Sequence, residues 1–597
     1  MDVYSFYTGK CFDAYEYLGA HVEGNGVTFR TFAPNASRVS VIGDFSNWQD
    51  IPMNKGCDQN FYECYVENAK EGMKYKYRIY DASGRCVDHC DPYGYGMELR
   101  PRNASIIRNL RSYTFHDEKW MKSRSDCKDK PLNIYEMHLG SWKENASDEN
   151  GWYSYDKIGK ILIPYLLENG YNYIEVLPLA EYPSDESWGY QATGFYSPTS
   201  RYGDANGLKT LIDQCHQKGI GVLLDFVPVH FAVDGYGLAN YDGTALYEYP
   251  HTSVGYNEWG SKNFAHSRGE VRSFLQSCAN YWMSEFHMDG LRIDAISNIL
   301  YWQGNPDRGV NGNAVEFIKV MNQGLKERHP TVILAAEDST TFPNITMPVE
   351  QGGLGFDYKW DMGWMNDTLM YFKAHPYDRM RDYHKLTFSM AYFWSEHYLL
   401  PLSHDEVVHG KATILQKMNG QYDAKFPQAR AFYMYMYAHP GKKLNFMGGE
   451  LGQLREWDEK REQDWCILKY PIHDAFHQFM KRLNHLYLKN PAFYEGDYTD
   501  TGFQWIDCHQ EEHCTYAFVR RAKEQTILAV FNFSDKPYEE FSMSIENMTR
   551  IRLLLDSNWE RYGGDKKVHR ESYEAIDGVV TIDMEGFSGK YFVVETE

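Results

Sequence analysis

The sequence lacks any run of about 18 apolar residues, which predicts that no segment spans a membrane. Its first residues contain no basic stretch followed by an apolar one, so we expect no secretory leader and a cytoplasmic location. The 11 cysteines are odd in number and irregularly spaced, which is atypical of a disulfide framework and fits a reducing compartment. A Gly-rich phosphate-binding loop is missing too, which argues against an enzyme acting on phosphorylated or nucleotide-linked sugars.

The sequence has fewer basic than acidic residues, 61 against 82, which gives a net charge of -21 at pH 7. Such a field repels nucleic acid and anionic membranes, so neither is an expected partner. Aromatic residues are instead abundant at 16%, with 48 Tyr and 15 Trp. Their flat apolar faces and polar edges suit sugar rings, although we expect most of them in the core.

The chain of 597 residues is too long for one compact core, and its changing patterns predict three domains. Short alternating runs indicate an N-terminal β-sandwich over residues 1–115, followed by a polar linker at 116–131. Between 132 and 490, β-like runs alternate with helical segments, which is typical of a parallel sheet. Alternation returns in 491–597, which predicts a C-terminal all-β sandwich.

The middle segment predicts an α/β fold, a (β/α)8 TIM barrel, because eight strands can be counted in it. An aromatic and Gly-rich excursion at 231–264 follows the third strand, and its length indicates part of a binding surface. The eight predicted strands are 133–139, 173–177, 221–227, 290–294, 332–337, 354–358, 398–403 and 443–447.

Four of these strands end in acidic side chains. Asp225, Asp294 and Glu337 end the third, fourth and fifth strands, and Asp405 follows the seventh. The carboxyl ends of barrel strands meet at one face, where active sites are built, so we expect these acids to converge. Because like charges repel, such convergence is costly unless it serves catalysis.

The fourth strand places Arg292 and Asp294 two residues apart, on the same side of the strand. A guanidinium there keeps Asp294 ionised, whereas Glu337 has no adjacent arginine and is the natural candidate for a protonated acid. One ionised nucleophile and one protonated acid are what retaining glycoside cleavage requires.

The segments around Asp225, Asp294, Glu337 and Asp405 resemble the four short regions of the α-amylase family of retaining glycosidases and transglycosylases, and they occur in the same order. The resemblance implies that Asp294 is the nucleophile, Glu337 the general acid/base, and Asp405 the acid that holds substrate hydroxyls and stabilises the transition state. The matching segments are Asp225-Phe226-Val227-Pro228-Val229-His230, Gly290-Leu291-Arg292-Ile293-Asp294-Ala295, Ala336-Glu337-Asp338-Ser339-Thr340 and Leu402-Ser403-His404-Asp405-Glu406-Val407-Val408-His409.

The same resemblance implies that Asp225, His230, Arg292 and His404 line the subsite of the cleaved sugar, with Tyr190 stacked beneath its ring. No metal or organic cofactor is expected, because carboxylates alone supply this chemistry. Some family members carry structural calcium, and Asp234 and Asp242 of the excursion are the candidate ligands, although we expect a solvated loop there.

Two further motifs, Tyr135-Glu136-Met137-His138-Leu139-Gly140-Ser141-Trp142 and Tyr196-Ser197-Pro198-Thr199-Ser200-Arg201-Tyr202-Gly203, are within the family most similar to branching enzymes. The first domain, with Phe29-Arg30-Thr31-Phe32-Ala33-Pro34 and Gly43-Asp44-Phe45-Ser46-Asn47-Trp48, resembles the glycogen-binding module that precedes such barrels. This implies an α-1,4-glucan (amylose, glycogen or amylopectin) as both donor and acceptor. We separately expect a monomer and name Trp48 of the first domain as a candidate surface contact to glucan. Asp338, where many branching enzymes have Glu, and a short segment at 301–306 depart from the pattern. The departures leave chain-length preference open.

Two other functions remain open at this point. A hydrolase of the same family, such as an amylase, a debranching enzyme or a trehalose-releasing hydrolase, would share every catalytic residue and differ only in its acceptor. A glucan-binding protein with a silent barrel is disfavoured, because all three central acids are present.

Overall fold

The structure is a computed structural model that describes residues 1–56, 58–567 and 571–596. The N-terminal part forms two antiparallel sheets, one ordered β1-β2-β6-β5 and the other β4-β3-β7-β8, with β9 also paired to β7. The strands are β1 Gly19–Glu23, β2 Gly26–Phe32, β3 Arg38–Gly43, β4 Ile51–Pro52, β5 Asn54–Lys55, β6 Phe61–Val66, β7 Lys74–Tyr80, β8 Cys86–His89 and β9 Ser105–Ile106.

The core of this region follows from alternation along its strands. In β7, Tyr75, Tyr77 and Ile79 are buried while the residues between them are half-buried. The ring of Tyr75 lies 5.0 Å from that of Phe29 on β2, the other sheet. Burial of every second residue places these side chains between the inner faces of two packed sheets, which confirms the predicted N-terminal β-sandwich.

Eight strands close into a barrel in the order β10-β11-β14-β17-β18-β19-β20-β21, which confirms the predicted (β/α)8 barrel. Strand β14 is buried along its whole length, as expected when helices cover a parallel sheet. The strands from β10 to β21 are β10 Asn133–Met137, β11 Tyr173–Val176, β12 Ala180–Glu181, β13 Gly194–Pro198, β14 Gly221–Phe226, β15 His230–Phe231, β16 Lys262–Asn263, β17 Gly290–Ile293, β18 Ile333–Ala336, β19 Tyr358–Trp360, β20 Tyr398–Leu402 and β21 Lys442–Phe446.

The sixth barrel strand differs from the prediction. The apolar run 354–358 suggested it, but β19 begins only at Tyr358. The run instead forms a loop, in which the amide of Leu354 donates to the carbonyl of Asn344 and that of Gly355 to Met347. Gly355 has a φ of 78°, a left-handed conformation that interrupts an extended strand.

Two of the longer helices begin at polar side chains that cap them. Asp204 accepts a hydrogen bond from the amide of Gly207 at the start of α5, and Asn311 does the same for Ala314 in α9. The helices are α1 Val3–Tyr7, α2 Glu118–Ser123, α3 Leu139–Trp142, α4 Tyr155–Asn169, α5 Ala205–Gln217, α6 Thr252–Gly255, α7 Gly269–Phe286, α8 Ile296–Leu300, α9 Gly312–Arg328, α10 Met362–Lys373, α11 Ser389–Tyr392, α12 Ile414–Lys417, α13 Tyr422–Ala438 and α14 Pro471–Lys489.

The chain divides into two compact units, whose segments alternate along the sequence. The first unit holds both N-terminal sheets and the barrel strands β14, β17 and β18, and the second holds β10, β19, β20 and β21. Helix α2 lies within the predicted linker, in the first unit, and Trp120 from it donates a hydrogen bond to Asp289 at 2.8 Å. The first unit comprises residues 1–124, 138–162 and 175–357, and the second comprises 125–137, 163–174 and 358–597.

The second unit ends in an all-β region, as predicted for the C-terminal part. Its larger sheet runs β22-β23-β24-β29-β26-β27, and β25 pairs with β28. The last predicted residue, Glu597, lies outside the described residues, and the boundaries at 115, 131 and 490 stay predictions. The strands are β22 Phe503–Gln510, β23 Thr515–Ala522, β24 Gln525–Asn532, β25 Tyr538–Ser544, β26 Met548–Asp556, β27 Ser572–Glu574, β28 Val579–Met584 and β29 Ser588–Thr596.

Two expectations from composition can be compared with the described residues. Ten of the cysteines are free thiols, and the eleventh, Cys57, lies outside the described residues. Among the helices that the structure describes, none is both long enough and apolar enough to cross a membrane.

Candidate active site

A single buried arginine organises the carboxylates of the first unit. Arg292 and Asp225 lie side by side because β14 and β17 are parallel neighbours with these two residues in register. Nη1 of Arg292 donates to both carboxylate oxygens of Asp225 and to Oδ1 of Asp294, each at 2.8 Å. The side chains of Arg292 and Asp225 are each 1% exposed, so this pair is the floor of the site.

Glu337 joins the same cluster, which corrects one expectation from the sequence. Glu337 was expected to have no arginine beside it, but its Oε2 lies 3.4 Å from Nη2 of Arg292. Strand β18 pairs with β17 so that Ala336 faces Ile293, which brings the next residue, Glu337, within reach of the guanidinium. The same oxygen accepts a hydrogen bond from the amide of Ala295 at 2.7 Å.

The cluster contains more negative than positive groups. Burial disfavours the charged form of Arg292, but the opposing attraction of Asp225, Glu337 and Asp294, with Tyr190, holds the pKa of Arg292 well above its usual range. Arg292 is therefore a permanent cation that faces three carboxyl groups. Asp294 and Glu337 remain 14% and 18% exposed, so a substrate can reach both.

Tyr190 is placed by a tight turn. Trp188 and Gly189 both have positive φ values, 56° and 97°. A Cβ on Gly189 would lie 2.5 Å from the carbonyl oxygen of Pro178, so only glycine fits this turn. The half-buried Tyr190 that follows donates its hydroxyl to Oδ2 of Asp225, which places it in the Arg292 cluster. Its stacking beneath a sugar ring stays a prediction.

His230 lies at the start of the excursion, where β15 pairs with β16. It is 3% exposed, and burial lowers the pKa of His230 to about 4, so the imidazole is neutral near pH 7. Its Nδ1 has no hydrogen-bond partner among the described residues. The ring of Trp259, a half-exposed side chain, lies 5.4 Å from that of His230. A neutral imidazole with spare hydrogen-bonding capacity suits a sugar hydroxyl.

The second unit contains the remaining predicted residues, His404 and Asp405. Glu136 on β10 fixes His404 twice, because its Oε2 accepts from the His404 amide at 2.9 Å and its Oε1 lies 2.5 Å from Nδ1. Nε2 of His404 lies 3.4 Å from Oδ1 of Asp405, whose side chain is 46% exposed. An accessible carboxylate next to a fixed imidazole can bind hydroxyl groups.

Glu136 is the site residue that the sequence reasoning missed. It occurs in Tyr135-Glu136-Met137, part of a predicted barrel strand and of a branching-enzyme-like motif in which Glu136 itself had no assigned role, and its side chain is fully buried. A charged residue inside an apolar strand is rarely buried without a partner, and this was the signal available in the sequence.

One of the two candidate calcium ligands in the excursion, Asp242, has a different role. Asp242 is fully buried rather than solvated, and it accepts hydrogen bonds from the amide of Asn35 and from Thr244. Among the described residues, no group of three or more His, Cys, Asp or Glu side chains is arranged to hold a metal ion.

Three family models match the chain. The model described as "Alpha amylase, catalytic domain" matches residues 146–239 and 257–529, and "Alpha amylase, C-terminal all-beta domain" matches 505–595. The third, "Carbohydrate-binding module 48 (Isoamylase N-terminal domain)", matches 17–94. These matches confirm the family that the four short segments indicated.

Curated relatives narrow the family further. The 1,4-alpha-glucan branching enzyme GlgB of Geobacillus stearothermophilus is 42% identical over 589 residues, covering 97% of this chain and 92% of the relative. That of Bacillus subtilis (strain 168) is 41% identical over 590 residues, covering 97% and 94%. The chain belongs to the 1,4-α-glucan branching enzyme family. Asp338 and the short segment 301–306 are therefore sequence variations within the branching-enzyme family.

Solved structures share the fold of this branching-enzyme family member. Pullulanase from Bacillus acidopullulyticus aligns with a TM-score of 0.76 at 16% identity, covering 99% of this chain and 76% of that one. Pullulanase from Anoxybacillus sp. LM18-11, solved with maltotetraose, aligns with a TM-score of 0.75 at 16% identity, covering 99% and 89%. At such low identity these alignments establish the fold alone.

Proposed function

We propose that this chain acts as a 1,4-α-glucan branching enzyme, which cleaves an α-1,4 link and transfers the released chain to a 6-hydroxyl, forming an α-1,6 branch. The bond cleavage is supported by the pair of accessible carboxyl groups, Asp294 and Glu337, that share the buried Arg292, and the choice of branching over hydrolysis by the branching-enzyme relatives at 41–42% identity. A retaining double displacement requires two such acids in one site, and the proposal assigns Asp294 the task of nucleophile and Glu337 that of general acid/base.

In the first step a carboxylate oxygen of Asp294 bonds to the anomeric carbon while the bond to the glycosidic oxygen breaks. Glu337 gives its proton to the departing oxygen, so the leaving glucan is a neutral alcohol. Arg292 at 2.8 Å from Asp294 keeps the nucleophile ionised. The product is a covalent glycosyl-enzyme.

In the second step the 6-hydroxyl of an acceptor glucan attacks the anomeric carbon and Asp294 departs as a carboxylate. Glu337, now ionised, takes the hydroxyl proton and returns to its starting state. Two inversions at one carbon retain the α configuration. The same geometry serves water as acceptor, so branching requires a bound acceptor that outcompetes water.

The remaining residues hold the cleaved sugar in this proposal. Asp225, bound through Tyr190 and Arg292, and the neutral imidazole of His230 bind hydroxyl groups. We assign the role of transition-state stabiliser to Asp405 with His404, supported by their position after the seventh barrel strand and by the fixation of His404 on Glu136. A location in the cytoplasm and a monomeric state belong to the same proposal.

Simultaneous measurement of iodine colour and reducing ends during incubation with amylose tests the proposal. We expect the colour to fall with little gain in reducing ends, and new α-1,6 links to appear on debranching analysis. A matched rise in reducing ends would instead establish a hydrolase. Asp294→Asn, of nearly the same shape, serves as the inactive control, and a variant that still remodels amylose would refute the nucleophile assignment.

A further inference from the structure

The loop that carries Asp405 adopts an unusual backbone. We define the seventh-strand loop as residues 403–413, between β20 and α12. Two of its non-glycine residues, His409 and Ala412, have left-handed φ values of 57° and 67°. Such conformations are unfavourable for residues with a Cβ, so other contacts must hold them.

Lys417 provides the first of these contacts. It is the last residue of α12, and it is 4% exposed although lysine is rarely buried. Its Nζ donates to the carbonyl oxygen of Glu406, next to Asp405, and to that of Ala412 at 2.6 Å. One ammonium group therefore ties together the two ends of the loop.

Glu456 binds the same loop with the opposite charge. Its carboxylate oxygens accept hydrogen bonds from the amide of Ala412 at 2.7 Å and from that of Gly410 at 3.0 Å. The next residue, Trp457, donates its amide to the carbonyl of Val407 at 3.0 Å. The Ala412 carbonyl thus accepts from the Lys417 ammonium, and the Ala412 amide donates to the Glu456 carboxylate. Both hydrogen bonds are charge-assisted and so stronger than those between neutral groups.

We propose that Lys417 and Glu456 are positioning residues, which hold the seventh-strand loop in the conformation that presents Asp405 to the glucan. This inference rests on the proposed role of Asp405. Neither side chain touches the reacting atoms in the proposal. They act on the rate through the loop, because a displacement of a catalytic group by about 1 Å can cost a hundredfold.

The buried surroundings of Lys417 disfavour the charged form of its ammonium group. Burial lowers the pKa of Lys417 to about 8, with Lys373 and Lys411 adding to the effect and Glu406 and Glu456 opposing it. Because this pKa is below that of an unfolded lysine, about 10.4, deprotonation between the two values raises the stability of the fold. Loss of the proton at alkaline pH weakens the hold on the loop without weakening the fold.

The test compares Lys417→Met with a matched control, Lys425→Met. Lys425 on α13 is likewise partly buried and donates to two backbone carbonyls, those of Gln416 and Met418, but none of its described hydrogen bonds reaches the seventh-strand loop. We expect Lys417→Met to lower kcat on amylose by about tenfold to a hundredfold with little change in KM or Tm. Lys425→Met is expected to keep kcat within about twofold.

The pH profile gives the readout that a merely structural role would not change. We expect kcat of the unmodified protein to fall above about pH 8, as Lys417 loses its proton. This decline should disappear in Lys417→Met and move to higher pH in Lys417→Arg, whose guanidinium stays charged. An unchanged alkaline decline in Lys417→Met, or equal losses of kcat in the two methionine variants, would overturn the inference.

Asp405→Ala, measured alongside, separates this inference from the proposed function. If Asp405→Ala is inactive while Lys417→Met has normal kcat and pH profile, the positioning role fails and the proposed function stands. If Asp405→Ala keeps normal kcat, the role proposed for Asp405 is wrong and the inference falls with it. Glu456→Gln, which keeps the shape but removes the charge, is expected to lower kcat by about tenfold, and normal kcat in this variant contradicts its assigned role.

Discussion

His216 is the side chain for which the structure gives the most quantitative prediction. It is buried in the first unit, with Nδ1 2.7 Å from Oδ2 of Asp117 and Nε2 2.7 Å from Oδ2 of Asp289. Since ionised carboxylates only accept hydrogen bonds, both ring nitrogens must donate, and the ring is therefore a charged imidazolium. Asp117 directly precedes α2 and Asp289 directly precedes β17. His216 therefore links the segment 113–124 to barrel strand β17, an interaction that we call the His216 clamp.

The magnitude follows from the balance around this ring. Burial alone would lower the pKa of His216, but attraction to Asp289 and the hydrogen bonds to Asp117 and Asp289 outweigh it and raise the pKa to about 9. A rise from 6.5 to about 9 corresponds to roughly 3 kcal/mol of stabilisation. Because the folded value is above the unfolded one, this contribution is complete below pH 6.5 and is lost as pH rises through about 9.

Trypsin cleavage provides a local assay, because Lys119 and Lys122 of α2 are exposed beside the clamp. We expect His216→Gln to be cleaved there about 100-fold faster than the unmodified protein at pH 7, if opening precedes cleavage. The ratio of the two rates cancels the pH dependence of trypsin itself. It should shrink as pH rises to 9 and above, since the unmodified protein then loses the same interaction.

His116→Gln is the matched control, because His116 also contacts a carboxylate, Asp213 at 3.3 Å, but is 72% exposed. Exposed ion pairs contribute little, so its cleavage rate should change by less than about fivefold. A ratio near one for His216→Gln would refute the clamp. A large ratio that does not change between pH 7 and pH 9.5 would refute the charged imidazolium.

Three other side chains give single-variant tests. Arg292→Lys keeps the charge but loses the fork that reaches Glu337, so kcat should fall about 100-fold, roughly 3 kcal/mol, in the iodine assay. Glu136→Gln should lower kcat about tenfold, because a neutral amide holds His404 less firmly. Trp48→Ala, which removes a side chain 37% exposed on the N-terminal sandwich, should raise KM for glycogen about fivefold without changing kcat on short amylose. Normal values in these assays would contradict each assignment.

The sequence was sufficient to predict the barrel, and it placed the ends of strands β14, β17 and β18 one residue beyond those observed. Their apolar runs are short and finish in charged residues, and both signals are local. The sixth strand was misplaced because the run 354–358 is apolar for another reason: Leu354 and Phe356 are buried within a loop. An apolar run reports burial, and burial alone does not distinguish a strand from a packed loop.

Contacts set by register were beyond the sequence. Whether the guanidinium of Arg292 reaches Glu337 depends on how β17 and β18 are staggered, and no local pattern specifies this. The same holds for Glu136, whose partner His404 is 268 residues away. The sequence therefore predicted which chemical groups the site contains better than it predicted how they are paired.

The corrected pairing changes the reason for the asymmetry between the two central acids. Arg292 lies beside both Asp294 and Glu337. The two acids therefore cannot be distinguished by an arginine that is next to only one of them. What differs is the hydrogen bonding: Arg292 donates to Asp294 at 2.8 Å, whereas Glu337 lies 3.4 Å from Arg292 and accepts a hydrogen bond from the amide of Ala295 at 2.7 Å. Asp225, held at 2.8 Å through both oxygens, takes a further share of the positive charge. The asymmetry that the proposed mechanism needs therefore has to come from the different hydrogen-bond partners of the two acids, since Arg292 attracts the ionised forms of both.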